Sequence, residues 1–456
     1  MAWVLRLVET GTGGQAESLD VLEISRPSDL RGIANLGLTL PEAKQLLARV
    51  QQAVVAAQAR DHAALRPECS TCGGRCQVKD WRSHQIATPF GRVTVRLPRF
   101  RCSGCGCVET GTSWPPHCRS TPELDQLQAH LSALMTYRVA VGVLTQLLPV
   151  AAGTSPETFR GHTLKVGEQL RDAVVTTPAA AAPAAAIAIS LDSTYIRSCH
   201  DGERHLEVRV GNVETPEGGR QVIGAVARSD TDITALIRRA LDSVGRTSDT
   251  ELTAFTDGCS SMRSILADAG VTSLPILDWF HLAMRLQHAK QTADSLPADQ
   301  PDQLQAKAAI VEQVERLHWQ AWNGKTEKAW RTIKQIRKLM PAFKGGCGRK
   351  AGEPVRKLRR ALGKVDGYLR SQSAWLVNYA ERHRAGLRVG TAITEGTANF
   401  LVNRRMAKSQ QMRWSRQGAD LLLQVRCAVY NGVLGSGLGQ RFELAPSSGL
   451  QWAEAA

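Results

Sequence analysis

The sequence predicts an α+β chain of several domains: a cysteine-built module, a helical module, and a strand-rich core interrupted by a long helical insertion. Three observations predict it. Seven of the 11 Cys fall between Cys69 and Cys118. An Ala/Pro stretch at 176–186 divides helical periodicity from a series of short, β-type apolar runs. Beyond those runs, residues 282–390 read as almost continuous helix, rich in Arg, Lys, Gln and Trp. At 456 residues the chain has room for about three domains of roughly 100–200 residues each. With 43% hydrophobic residues it can bury ordinary globular cores.

From the amino terminus, residues 1–66 are expected to be a helical region. Residues 1–38 read as irregular around Gly11-Thr12-Gly13-Gly14. A helix follows from Pro41 to about Leu65, with Leu46, Leu47, Val50, Val54 and Ala57 at helical spacing. Residues 67–118 form the cysteine module. Its middle, Val93-Thr94-Val95-Arg96-Leu97, alternates as a half-buried strand does, after a hairpin turn at Pro89-Phe90-Gly91. Residues 119–175 read as three helices: Pro122 to Met135, about Val139 to Leu148, and one opened by Ser155 and Pro156. A helix, a short break and a helix in a basic protein permit a helix-turn-helix that contacts DNA; the same pattern serves a packing hairpin.

After the 176–186 linker, strands are expected at Ala188–Asp192, Leu206–Val210, Gln221–Val226, Leu252–Phe255 and Pro275–Asp278. Helices fall near 231–243 and 260–268. The order β-β-β-α-β-α-β over 187–281 is that of an RNase H-like core, less its closing helix. Residues 282–390 are the helical insertion, 391–435 the closing helices, and 436–456 a Gly/Ser-rich tail expected to be poorly ordered.

The net charge of +15 points to a polyanionic partner, nucleic acid first. Between Lys325 and Arg370 there are 15 Lys plus Arg against three acids, Glu327, Glu353 and Asp366. This excess favours a phosphate-binding surface over a merely solvated face, with Arg359 and Arg360 as candidate contacts. No apolar run reaches the roughly 18 residues of a membrane span, and the start has no signal-peptide pattern, so a cytoplasmic protein is expected.

Cys69-Ser70-Thr71-Cys72 and Cys102-Ser103-Gly104-Cys105 are two matched CxxC knuckles, separated by 29 residues. Tetrahedral Zn²⁺ takes four soft ligands, and a CxxC turn brings two thiolates onto one ion. The four cysteines are therefore expected to hold a structural zinc, making 67–118 a zinc ribbon. Cys76, Cys107, His117 and Cys118 are spare potential ligands.

Three acids stand where an apolar pattern ends. Asp192 closes a strand, Asp257 follows the strand ending at Phe255, and Glu395 opens a helix in Thr394-Glu395-Gly396. Acids at adjacent strand ends can hold two Mg²⁺ ions for phosphoryl transfer, although each alone reads equally as a turn or cap residue. Together with Asp278-Trp279-Phe280-His281, this set resembles the DDE transposases of bacterial insertion sequences. The nearest likeness is to the Mutator-like superfamily and its Kra-type relatives. That group carries an acid or Cys shortly before a His, past the second catalytic Asp, as Asp278 and His281 do here. It also has a long helical insertion before the catalytic Glu. The stretch Glu395 to Gly432, with Asn399, Arg404-Arg405, Trp414, Gly418-Ala419 and Asn431-Gly432, looks like the family's closing helices. A CxxC…CxxC module ahead of the core is similar to that of the Kra-type relatives. The resemblance spans about 67–432.

The resemblance implies an RNase H-like fold with Asp192, Asp257 and Glu395 as ligands of two catalytic Mg²⁺. Asp278 and His281 would stand behind them. The substrates would be terminal inverted repeats and target DNA, cut and then joined. A homo-oligomer on DNA, in the bacterial cytoplasm at the nucleoid, would be the working form. Arg404, Arg405 and Trp414 are further candidate DNA contacts, Trp414 by stacking on an unpaired base. Two other readings fit parts of the pattern: a non-catalytic zinc-ribbon and helix-turn-helix regulator, and an RNase H-like nuclease without strand transfer.

Overall fold

The computed structural model describes residues 1–9, 18–29, 32–33, 36–112, 114, 119–173, 182–200, 202–226, 230–343, 352–390, 396–407 and 412–434. The chain divides into two compact units, Met1–Leu170 with Ala428–Ala456, and Arg171–Cys427. The fold is α+β, with separate sheets in the two units. Among the described residues no helix is long and apolar enough to cross a membrane.

The first unit opens on strands where sequence pattern suggested irregular chain. β1 (Ala2–Val8) and β2 (Ser18–Ser25) form an antiparallel hairpin. The expected helical region 1–66 is thus a hairpin followed by a helix. A register shift at Leu5/Arg6 leaves Val21 and the adjacent Leu22 both buried, so β2 lacks the clean alternation that marks a strand in sequence. α1 (Leu40–Ala64) starts with Pro41 in its first turn, and the Glu42 carboxylate accepts from the Thr39 amide at 2.9 Å. The turn at Pro89 and Phe90 joins β3 (Cys76–Thr88) to β4 (Gly91–Cys102), and β5 (Val108–Glu109) completes a three-stranded sheet in the order β3-β4-β5. Ile86, Val93, Val95 and Leu97 pack against Val55 and Ala59 of α1. Then come α2 (Pro122–Leu134), α3 (Tyr137–Leu147) and α4 (Pro156–Ala173), around Leu124, Tyr137, Ala140, Leu144 and Phe159. Thr121 and Thr136 cap α2 and α3 by accepting backbone N–H bonds.

The second unit begins with β6 (Ala186–Ser198), β7 (His205–Glu214) and β8 (Arg220–Ala225), an antiparallel meander. α5 (Asp230–Ser243) leads to β9 (Glu251–Thr256), and α6 (Ser260–Asp268) to β10 (Ile276–Leu277). β9 lies parallel to β6, and β10 parallel to β9, so the sheet runs β10-β9-β6-β7-β8. The element order β-β-β-α-β-α-β is the one expected from the sequence. One expected boundary is not found: β6 continues six residues past Asp192 to Ser198, because β7 pairs with it as far as Arg197.

The sheet is covered on both faces, as its alternating apolar residues demand. On one face Ile187, Ile189 and Leu191 of β6 pack with Ile233, Ile237, Met262 and Ile265 of α5 and α6. On the other, Ile196, Val208 and Val210 pack with a π-helix at Asn399–Ala407 and with α12 (Arg416–Tyr430). The short strand β11 (Arg413–Trp414) joins the far end of β6. Between β10 and the π-helix stand α7 (Trp279–Asp294), α8 (Pro301–Trp322), α9 (Thr326–Leu339), α10 (Glu353–Ser371) and α11 (Tyr379–Arg384). They bury a core of their own around Leu282, Leu286, Ile310, Val314, Ile333, Leu358 and Leu362.

Candidate functional site: a four-cysteine centre and a row of carboxylates

Two sites emerge, one in each unit. In the first, Cys69, Cys72, Cys102 and Cys105 place their Sγ atoms within 4.8 Å of one another. Sγ–Sγ separations of 3.5 Å link Cys69 to Cys105 and Cys72 to Cys102. Both knuckles are built alike. The Gly73 amide donates to the Cys69 carbonyl at 2.9 Å and the Gly106 amide to the Cys102 carbonyl at 3.1 Å. Each glycine has a positive φ, 67° and 74°, which a side chain would oppose. Strand pairing of Cys76 with Cys102 brings the two turns together.

Backbone amides aim at the sulfurs. Cys105 and Gly104 N–H groups lower the Cys102 thiol to about 6, and those of Thr71 and Cys72 lower Cys69. Hydrogen bonds with neighbouring sulfurs raise the Cys72 and Cys105 thiols despite the amides that donate to them, so the case for a metal rests on geometry: the four sulfurs lie close enough together to hold an ion such as zinc. Cys76, 2% exposed, is not of the set: burial raises its thiol to about 11. Cys107 also stands outside the four-sulfur group, and accepts from the Thr71 hydroxyl. His117 and Cys118 lie outside the described residues.

The second site lies where β6, β9 and β10 run parallel. Their register pairs Leu191 with Thr256 and Thr256 with Leu277. The next positions are Asp192, still within β6, and Asp257 and Asp278, each directly after the last residue of its strand. The Asp278 amide donates to the Thr256 carbonyl at 2.9 Å, one hydrogen bond beyond the β9–β10 pairing. Pleating puts residues of equal register on one face. That face also carries Ser190 and Ile196 on β6.

The three acids differ in what surrounds them. Asp192 and Asp257 are half-buried. Asp192 accepts from the Ser193 amide at 2.7 Å, and Asp257 from the Cys259 amide at 2.9 Å at the entrance to α6. Asp278 is fully buried. It caps α7, accepting from the Phe280 amide at 2.9 Å, with His281 Nε2 at 3.8 Å. Gly390 presses against it: a Cβ there would lie 2.5 Å from Asp278 Oδ1. Glu395 lies outside the described residues. Among the described residues the four cysteines are the one group of three or more His, Cys, Asp or Glu placed to share a metal ion, and Asp192, Asp257 and Asp278 do not form such a group.

The insertion supplies contacts that sequence reading missed. Tyr368 of α10 donates its hydroxyl to the Asp257 carbonyl, and Tyr379 of α11 donates to the Leu277 carbonyl, both at 2.7 Å. Burial pushes both phenols up, so they remain donors. Arg285 of α7 lies over the Tyr368 ring. Each tyrosine is more than 100 positions from the residue it holds, and no local pattern announces such a pairing.

Two expected DNA contacts are corrected. Trp414 is 7% exposed, packs in the core beneath the sheet and donates its Nε1–H to the Met406 carbonyl at 2.9 Å. It has no face to offer a base. Arg405 is 2% exposed and stacks near the Trp414 ring, so it cannot reach a phosphate. Arg404, Arg359 and Arg360 are exposed. Trp414→Ala is expected to cost about 3–5 kcal/mol of stability, as large-to-small aromatic core changes do. It should leave the salt dependence of any DNA binding unchanged. Urea unfolding beside a binding titration checks both.

No protein-family model matches the chain, and no curated protein matches it.

Proposed function

We propose that the chain is a DDE-type DNA transposase, with a zinc ribbon in its first unit and an RNase H-like catalytic core in its second. The observation that carries this reading is that Asp192 and Asp257 each directly follow a paired position, Leu191 and Thr256, of the adjacent parallel strands β6 and β9. Sheet order and connection, β10-β9-β6-β7-β8 with helices after β8 and β9, support the RNase H-like assignment. The residues directly after Glu395 favour it as the third acid. Ala398, Leu401, Val402 and Met406 pack in the same core as Ile196, on the face of β6 that carries Asp192. Arg426 fastens that segment by donating to the Phe400 and Leu401 carbonyls.

Asp192, Asp257 and Glu395 would hold two Mg²⁺, which when bound activate an attacking oxygen and stabilise the leaving one. Mg²⁺ takes few carboxylates and completes its shell with water and phosphate oxygens. Half-buried Asp192 and Asp257, side by side, suit it. Buried Asp278 suits a supporting role: it fixes the start of α7, and through Trp279 and Gly390 the approach of the 387–390 segment. Tyr368 and Tyr379 tie the strand ends to the insertion, keeping the carboxylate row in register.

The exposed arginines of α10 would hold substrate phosphates. Replacing Arg359 and Arg360 by Ala is expected to weaken DNA binding regardless of sequence. The slope of log affinity against log salt should become shallower by about one unit per lost contact. An unchanged slope would assign these charges to a solvated face. Cleavage of inverted-repeat DNA in Mg²⁺ tests the reading as a whole.

A further inference from the structure

The first unit contains a cleft of about 1070 Å³ along the free edge of β3, walled by residues of β4, by Thr112, Trp114 and Arg119 between β5 and α2, and by one side of α4. Its charge is one-sided. Arg82, Arg92, Arg99 and Arg119 line it, and no Asp or Glu does. Arg99 is paired with Asp80 from outside the lining. Burial lowers the His162 imidazole, which lies 3.1 Å from the buried Asp125 carboxylate behind the lining. Arg82, Arg92 and Arg119 are exposed, and among the described residues their side chains form no ion pair or hydrogen bond. Three guanidinium groups sharing one concavity repel one another and focus a positive potential that a polyanion relieves.

The cleft also offers an aromatic face. Trp114 lines it while 43% exposed, with its ring set edge-on to His84 at 5.8 Å. An exposed indole among unpaired arginines is the arrangement that takes a nucleic-acid strand: cations for the phosphates, a flat ring for a base or sugar.

We propose that this cleft is a DNA-binding site of the first unit, gripping the sugar–phosphate backbone through Arg82, Arg92 and Arg119 and stacking on Trp114. The choice of DNA among polyanions rests on the transposase reading. The site itself rests on the charge and shape of the cleft.

The test is binding by the full chain, without magnesium, to a fluorescein-labelled 30-base-pair duplex and to its single strand across a salt series. Combined Arg82→Gln, Arg92→Gln and Arg119→Gln should make the log–log slope on duplex shallower by about 2.7, at roughly 0.9 per phosphate contact. The corresponding triple Lys variant keeps the charges and should recover most of that slope. Trp114→Ala should weaken single-strand binding by roughly 5- to 100-fold, the range of one lost stacking contact. Unchanged affinity and slope in the Gln variant, with its zinc retained, overturns the proposal. So does a Lys variant as weak as the Gln variant, which would make the loss structural. Loss of binding to anionic phospholipid vesicles on the same substitutions, with DNA binding intact, would give the cleft to a membrane surface instead. Magnesium is absent and Asp192 untouched, so failure here leaves the cleavage reading standing, and a chain that cannot cleave can still pass.

Discussion

Cys102→Ser is expected to abolish metal binding by the four-cysteine centre and to loosen the module that a bound metal would close. Cys102 pairs by strand register with Cys76 and packs with Phe100 and Cys69 in a cluster of few apolar residues. So small a core supplies little folding energy of its own. A structural zinc supplies on the order of 10 kcal/mol in modules of this kind, so metal binding and folding are one event. Purified protein should carry about one zinc per chain. The serine variant should carry none, and limited proteolysis should cut it between residues 67 and 112, where the wild type resists. Zinc-free wild-type protein with the same resistance would show that the hairpin stands without metal. Cys76→Ser is the control. Its thiol is outside the four-sulfur group, so zinc should stay bound despite some loss of packing.

Asp192→Asn and Asp257→Asn should each abolish metal-dependent DNA cleavage, and the double variant should be no worse than either single one. On the transposase reading the two acids serve one metal site, and residues that act as a unit are not additive. DNA binding should persist or strengthen, because negative charge facing phosphate is removed. Glu395→Gln should match them. Asp278→Asn should be milder in cleavage and costlier in stability, since its carboxylate is fully buried and caps α7. The reverse pattern, with robust cleavage by Glu395→Gln and none by Asp278→Asn, would move the third ligand to β10.

Much of the layout was legible because it is local. Period-2 runs located β6 to β10, caps and prolines located α1 to α4, and matched CxxC spacing located the cysteine centre. What was hidden depends on partners far along the chain. β6 outruns its apolar stretch because β7 and β11 pair with its polar end. Trp414 and Arg405 sit among polar neighbours in sequence, and only packing against β6 and α12 shows that they are internal. The alignment of Asp278 with Asp192 and Asp257 is a matter of strand register, which spacing cannot reveal. The clustering of Arg82, Arg92 and Arg119 arises from the hairpin of β3 and β4 and from the bridge that ties Ser120, next to Arg119, to Ala87 of β3.

The central claim is metal-dependent phosphoryl transfer to DNA at the Asp192–Asp257 edge. Its most direct test is a single-turnover reaction of the full chain with a labelled duplex that carries the inverted repeats bracketing its own gene, with a target plasmid and Mg²⁺. A nick at the repeat end followed by a joined product, both lost in EDTA and in Asp257→Asn, is the expected result. Nicking without joining would reduce the protein to a nuclease. Specific binding of the repeats with no cleavage in Mg²⁺ or Mn²⁺ would contradict the claim and leave a DNA-binding regulator.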